Sequence, residues 1–319
     1  MAAIRRETAR FAIAILATGL MLRLCQGFGG LAAASAEAVG SASAAVAQGG
    51  QKVTPTGSLT VTASSPSARP GDVVVLTIGG AGTDADVRVR AFNRDLPTFA
   101  APAGKRRALV GVDLEVRPGT YTLTAAAGDR RTSYTLRVVR RAFATRRLTV
   151  DPAFVNPPES ELPRIDRERK QLEKFWETWT PDKLWEGAFE APVPVAANSA
   201  FGTRSILNGE PRSPHGGADF PSPAGTPIKA PNSGRVVLAD PLYYSGNTVV
   251  VDHGLGLYSL FAHMTEMHVH VGDAVKIGDV LGTVGSTGRV TGPHLHWAVR
   301  LDGARVDPIS LIEALARGK

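Results

Sequence analysis

From residue 58 onward, hydrophobic and polar positions alternate in short runs that are broken by turn residues. Leu59-Thr60-Val61 alternates, and Arg69-Pro70-Gly71-Asp72 turns into Val73 to Ile78. Val87-Arg88-Val89-Arg90 alternates again. Pro118-Gly119 then leads into Tyr121-Thr122-Leu123, and Gly128-Asp129 into Tyr134-Thr135-Leu136. Period two puts successive side chains on opposite faces of a strand, so each run predicts a half-buried strand between turns.

Runs of this length and spacing predict an antiparallel β-sandwich of immunoglobulin-like type over residues 58–150. It holds no cluster of reactive side chains, and it is read as a binding or spacer module. Residues 151–196 form a connector. Its start is Pro-rich, and Ile165, Leu172, Phe175, Trp176 and Trp179 then recur at helical spacing, predicting a helix from Ser160 to Trp179. Arg167, Glu168, Arg169, Lys170 and Glu173 give its polar face. Trp176, Trp179 and Trp185 are expected to pack the connector against a domain. From Phe201 onward Gly, Val and His dominate, and residues 197–319 are read as a further domain. Val236-Val237-Leu238, Thr248 to Val251, Leu257 to Phe261 and Val280-Leu281 predict strands of a compact, mainly β domain, closed by a helix from about Pro308 to Ala316.

Residues 1–47 read differently. Arg5, Arg6 and Arg10 precede an apolar run from Phe11 to Leu22, and a small-residue tract extends from Leu31 to Ala47. A run of about twelve apolar residues is short for a bilayer span, so the segment predicts an export signal. An uncleaved anchor is the alternative. Cys25 is the single cysteine and lies within this segment, preceded by Leu24 where a lipoprotein signal needs a small residue. Without it no disulfide staples the chain. The formal charge is +7. Four Arg and two Glu fall in residues 1–47, which leaves the rest about +5. A basic exported protein is attracted to anionic surfaces. No Lys/Arg tract points to nucleic acid, so an anionic wall polymer is the better match.

All seven histidines lie between His215 and His296. Histidine is both the commonest metal ligand and the acid–base group that titrates near neutrality. His294-Leu295-His296 sends two rings to one face if it is a strand, with Leu295 facing the packing side. His215-Gly216-Gly217-Ala218-Asp219 puts two donors about 13 Å apart on a straight strand, at ~3.3 Å per residue. They converge only if the glycines bend the chain. A catalytic zinc site needs three protein ligands and an open position. His215, Asp219 and one of the paired histidines supply them, and the other histidine remains for proton transfer. His263 to His268 holds a glutamate but no His-Glu-x-x-His spacing. His268 and His270 alternate with Met267, Val269 and Val271, so the apolar set is expected to face the core and the histidines solvent. His253, in Asp252-His253-Gly254, suits a structural or substrate-contact role better than ligation.

Three segments carry a family resemblance. Phe201-Gly202-Thr203-Arg204 through Asn208-Gly209, Pro211-Arg212 and His215-Gly216-Gly217-Ala218-Asp219 resembles the start of a lysostaphin-type (M23, LytM-domain) metallopeptidase. Tyr258-Ser259-Leu260-Phe261-Ala262-His263 resembles the middle motif. Gly285-Ser286-Thr287-Gly288 with Gly292-Pro293-His294-Leu295-His296-Trp297 resembles the last. The match covers about residues 197–312. Residues 58–150 with the connector resemble the N-terminal part of some envelope members.

The resemblance implies one Zn2+ per chain, held by His215, Asp219 and His296, with His263 and His294 as the two catalytic histidines. Asn208, Arg212 and His253 are expected substrate contacts. The implied activity is zinc-dependent endopeptidase cleavage of peptidoglycan crosslinks or stem peptides by an exported, periplasmic protein. The implied alternative is a non-catalytic activator or wall-binding regulator of other hydrolases. A tyrosine found in some relatives upstream of the first ligand is replaced here by Asn208-Gly209-Glu210. The scissile bond, D-Ala–diaminopimelate or glycine-rich, stays open, as do the oligomeric state and the split of roles between His263 and His294.

Overall fold

The computed structural model describes residues 58–82, 85–149, 156–198 and 201–316. The expected export signal lies outside these residues. Among them, no helix is long and apolar enough to cross a membrane. The described chain is mainly β, with a 16-residue helix and a 9-residue helix.

Residues 59–138 form two sheets. One orders its strands Thr60–Ala63, Val73–Gly79, Lys105–Gly111 and Phe99–Ala101. The other runs Ser67–Ala68, Arg130–Val138, Gly119–Ala127, Val87–Ala91 and Arg94–Leu96. Alternation does the work in the second sheet. Val87, Val89 and Ala91 are buried while Arg88 and Arg90 are exposed. Val74, Leu76 and Ile78 from the first sheet share a core with Val89, Leu123 and Leu136 from the second.

Val73 to Ile78 does not alternate, and the structure shows why. Val74 and Leu76 face the sandwich core, whereas Val73 and Val75 belong to the core of the C-terminal half. A strand buried on both faces reads as a continuous apolar run. Arg305 grips Asp113 through two guanidinium bonds of 2.8 and 3.1 Å. Arg141 bonds Asp307 at 2.7 Å, and Val73 N–H donates to Ser310 Oγ at 2.9 Å. A side chain at Gly111 would sit 3.0 Å from Val306 and 3.3 Å from the Leu301 carbonyl, so this glycine permits the close approach.

The connector helix spans Leu162–Glu177, with proline in its first turn. Leu172, Phe175 and Trp176 pack on Leu238, Leu242, Val250 and Tyr258. Trp185, Phe189 and Val193 then enter the large C-terminal core. Trp179 departs from expectation: it lies past the helix end and is 52% exposed, so it does not anchor the connector.

The C-terminal half is built on a nine-stranded sheet. Its path runs Gly217–Phe220, Leu295–Leu301, Leu257–Met267, Gly246–Gly254, Gly234–Leu242 and Ala274–Val275. Strands Pro227–Lys229 and Val280–Val284 pair with each other, and the latter also pairs with the end of Leu257–Met267. A helix follows at Pro308–Ala316. His268 and His270 are outside the strand and reach solvent. Met267 and Val269 pack on the core, but Val271 is 65% exposed, against the expected alternation, because the strand ends at Met267.

His253 corrects a further expectation. It is fully buried. Its Nδ1–H donates to the Ser233 carbonyl (2.8 Å), its Nε2 meets Ser259 Oγ at 2.9 Å, and its ring packs on Phe189. It is a core histidine, not a substrate contact. Burial pushes its pKa down to about 4, with the carbonyl bond opposing. Between pH ~6.5 and ~4 the unfolded chain therefore holds a proton here that the folded chain does not, so stability falls as pH drops through that window. The expected contribution is about 3 kcal/mol. Urea unfolding of metal-free protein from pH 7.5 to 4 checks this: His253→Gln flattens the profile over that window, and unchanged slopes would contradict the assignment.

Candidate active site

The Leu295–Leu301 strand is the axis of the site. It pairs with Gly217–Phe220 on one side and Leu257–Met267 on the other. The register sets Asp219 directly opposite His296, and directly opposed residues project to the same face. Leu295, between the two histidines, is fully buried as expected. His294 sits just before the strand, bridged to Gly285.

His215 reaches the same place from outside the ladder. Its N–H donates to the Thr203 carbonyl (2.9 Å), and its carbonyl accepts from Gly202 N–H (2.7 Å). The bend needed between His215 and Asp219 falls at the two glycines. A Cβ on Gly217 would lie 2.5 Å from the Trp297 carbonyl and 2.8 Å from the His296 ring. The chain can thus turn into the strand at a spot where no side chain fits.

Three donors converge. His215 Nε2 is 3.0 Å from Asp219 Oδ1, His296 Nδ1 is 2.9 Å from the same oxygen, and the two nitrogens are 2.9 Å apart. A tetrahedral zinc with bonds of 2.0–2.1 Å separates neighbouring ligand atoms by about 3.3 Å. The triangle therefore fits one such ion with slight expansion. Burial acts to raise the Asp219 pKa, but bonds and charge from His215 and His296 outweigh it and hold the carboxyl far below the usual range. Burial lowers His296, with the nearby Asp219 opposing, and so favours the neutral ring that a metal requires.

Two further rings border the triangle. His294 Nε2 lies 3.9 Å from Asp219 Oδ1, while its Nδ1 meets the Gly292 carbonyl at 2.9 Å. His263 Nδ1 meets the Thr287 carbonyl at 2.9 Å, and its ring centre is 5.0 Å from that of His294 and 6.0 Å from that of His296. A carbonyl only accepts, so each Nδ1 carries a proton and Nε2 is the nitrogen left to face the site. Burial, then the His296 charge, lowers the His263 pKa to about 4 against the pull of the Thr287 carbonyl.

His263 reaches this face only through a backbone irregularity. The residue opposite His296 is Ala262, so regular alternation would turn His263 away. Instead His263 has φ +65°; one register shift spans it on the ladder to Gly246–Gly254, and a second follows between Met264 and Glu266 on the ladder to Val280–Val284. Its N–H donates to the Ser245 carbonyl at 2.8 Å. A left-handed conformation in a non-glycine residue costs about 1–2 kcal/mol. The surrounding bonds maintain it: Thr287 Oγ1 donates to the Met264 carbonyl (2.8 Å) and accepts from Asn247 N–H (2.9 Å).

Asn208 and Arg212 lie on the hairpin ahead of His215. Asn208 is an exposed turn residue with φ +50°, and Arg212 bonds Glu210 at 2.7 Å. Sequence reasoning missed the supporting set of Ser245, Thr287 and Gly292, which act through backbone carbonyls that no residue type announces.

The profile of Peptidase family M23 matches residues 213–308. Over 97 residues the chain is 40% identical to the DD-carboxypeptidase/endopeptidase Mpg of Neisseria meningitidis serogroup B, covering 30% of this chain and 22% of that protein. Over 143 residues it is 32% identical to the peptidoglycan DD-endopeptidase ShyA of Vibrio cholerae, covering 44% of this chain and 31% of that protein. The match thus spans less than a third of either curated relative. A solved Pseudomonas aeruginosa structure assigned to peptidase M23 is similar over a much larger share. It shows 33% identity and a TM-score of 0.63, and the match covers 78% of this chain and 96% of that one. With its motifs, its site geometry and this near full-length match in agreement, the chain belongs to peptidase family M23.

Proposed function

We propose that this protein is an exported zinc endopeptidase that hydrolyses peptide crosslinks or stem peptides of bacterial peptidoglycan. The observation that carries the proposal is the His215–Asp219–His296 donor triangle with the rings of His263 and His294 at its edge. The curated relatives named above point to the same substrate class. In this reading residues 1–47 are a signal peptide and the protein works in the periplasm. Residues 58–150 form an accessory β module, with 151–196 as connector and 197–319 as the peptidase domain.

His215, Asp219 and His296 hold the ion, which when bound supplies Lewis acidity toward the scissile carbonyl and an acidified water. The chain's own groups then divide the proton work. Each of His263 and His294 has Nδ1–H committed to a backbone carbonyl, so Nε2 is the atom that takes a proton. One of them accepts the proton of the attacking water and returns it to the leaving amine. The other takes up a proton from solvent at Nε2 before the attack and donates it as a hydrogen bond to the developing oxyanion. Burial of His263 keeps it neutral at physiological pH, ready to accept rather than already charged.

Chelation of the purified protein abolishes release of muropeptides from sacculi, and zinc restores it. His296→Ala and Asp219→Asn bind well under one zinc per chain by elemental analysis and do not recover. Stoichiometric zinc in His296→Ala would contradict the assigned ligand set.

His294→Ala and His263→Ala retain about one zinc per chain but lose about 10²–10⁴ in kcat, the range of a positioned acid–base group. Steady-state kinetics on a crosslinked muropeptide dimer reads this. Near-normal kcat with bound zinc would remove that histidine from the chemistry.

A further inference from the structure

The turn between strands Gly234–Leu242 and Gly246–Gly254 consists of Tyr243, Tyr244 and Ser245. Each of these residues commits one backbone group to a partner outside the hairpin. Tyr243 N–H donates to Glu168 Oε2 at 2.8 Å. The Tyr244 carbonyl accepts from Arg289 N–H at 2.8 Å, and the Ser245 carbonyl accepts from His263 N–H at 2.8 Å. Just beyond, Asn247 N–H donates to Thr287 Oγ1 at 2.9 Å, and a Cβ on Gly246 would lie 2.3 Å from that same oxygen. The turn is therefore held between the connector helix and the 287–289 segment, and the His263 backbone is fixed to it.

On the helix side the hold comes from a pair of side chains. Arg164 and Glu168 are one turn apart on Leu162–Glu177, on the same face. Arg164 Nε donates to Glu168 Oε1 at 2.7 Å, and its Nη2 donates to the Pro241 carbonyl at 2.9 Å. The pair thus grips the hairpin at residues 241 and 243, on either side of Leu242. Leu242 belongs to the apolar cluster on which Leu172, Phe175 and Trp176 of the same helix pack. Both oxygens of the Glu168 carboxylate are engaged, and its side chain is 16% exposed against 42% for Arg164. An ion pair this open to solvent adds little to global stability. What it does is set where the turn stands.

His263 needs such support, because φ +65° is unfavourable for a residue with a Cβ. Its N–H reaches the Ser245 carbonyl only with the turn in the place that Glu168 gives it. We propose that Glu168, oriented by Arg164, is a positioning residue for His263: it anchors the Tyr243–Ser245 turn so that the Ser245 carbonyl holds the histidine backbone in its left-handed conformation and the ring at the donor triangle. The connector helix lies outside the matched residues 213–308, yet it contributes to proton transfer without touching substrate. The inference deepens the endopeptidase reading above and rests on it.

The test uses the zinc-loaded full chain, a crosslinked muropeptide dimer, and amide hydrogen exchange read by mass spectrometry. Glu168→Ala lowers kcat about 10–100-fold, as expected for a misplacement on the order of 1 Å, with KM within about twofold. Zinc content and melting midpoint confirm that each variant is folded. Exchange quickens across residues 243–247 and at His263. Glu168→Gln recovers most of the rate, because its amide oxygen still accepts from Tyr243 N–H. Glu173→Ala, on the same helix with its carboxylate on Arg169, leaves kcat unchanged. In a His263→Ala background, read by single-turnover digestion, Glu168→Ala costs no more than about twofold, since residues that act through one another are not additive. The full loss in that background would show that Glu168 acts elsewhere and overturn the inference. So would a normal kcat in Glu168→Ala, a Gln variant as slow as the Ala one, or unchanged exchange at His263. If zinc-replete wild type cleaves no dimer, the endopeptidase reading fails instead, and the exchange arm still decides whether Glu168 places His263.

Discussion

The pairing of Leu295–Leu301 between two neighbouring strands is the constraint on which the site depends. One ladder sets Asp219 against His296, and the other sets Ala262 beside it. A register slip of one residue on either side would send Asp219 or His296 to the opposite face. The apolar alternation of Leu295, Trp297, Val299 and Leu301, all buried, makes that slip costly, because it would expose all four, Trp297 among them. The core therefore fixes the face on which the three donors meet: every buried partner of Trp297 helps to hold His296 on the opposite side of the strand.

Against this regular frame, His263 is placed by an exception. Period two assigns its face to Ala262, and only the positive φ with the register shifts at and just after it brings the ring round. Residues in such conformations persist where the surroundings over-determine them. Here Ser245, Thr287 and the close approach at Gly246 provide that determination. The strain and the function share an address, as expected of a site that needs a side chain where a plain strand would not deliver one.

That contrast explains what could be read from sequence. His296 was legible because a strand alternates its faces, whereas His294 sits just before that strand and is placed by its bridge to Gly285 rather than by the two-residue period. Their convergence with His215 and Asp219 was legible as chemistry, since the Gly-Gly pair permits the bend, although only the Gly217 contact with Trp297 shows why it is required. The β character of both halves followed from alternation. For His253 the sequence left a structural and a substrate-contact role open, and strand Gly246–Gly254 decides between them by running through to Gly254 and burying the ring. Trp179 and Val271 failed for a shared reason: each continues an apolar period beyond the end of its element, where periodicity no longer implies a buried face. The carbonyl supports at Thr287 and Gly292 had no sequence signal, since every residue owns a carbonyl.

The accessory module is not independent of this chemistry. Strand Thr145–Leu148 pairs in parallel with Arg204–Leu207, and Arg204 N–H donates to the Ala144 carbonyl at 2.9 Å. Thr203, the next residue back, carries the carbonyl that holds His215. Asp219 and His296 have a full ladder to define them. His215 lies outside it and takes its position from the 202–203 segment, which is fixed in turn by the strand that follows the sandwich. The Phe143 ring tightens the same junction, since it fills the space a side chain on Gly202 would occupy. Of the three donors, the first is thus the one whose placement depends on the N-terminal half. The ion pairs Arg305–Asp113 and Arg141–Asp307 consequently bear on the site as well as on stability, because they keep the two halves in the register that this short parallel pairing requires.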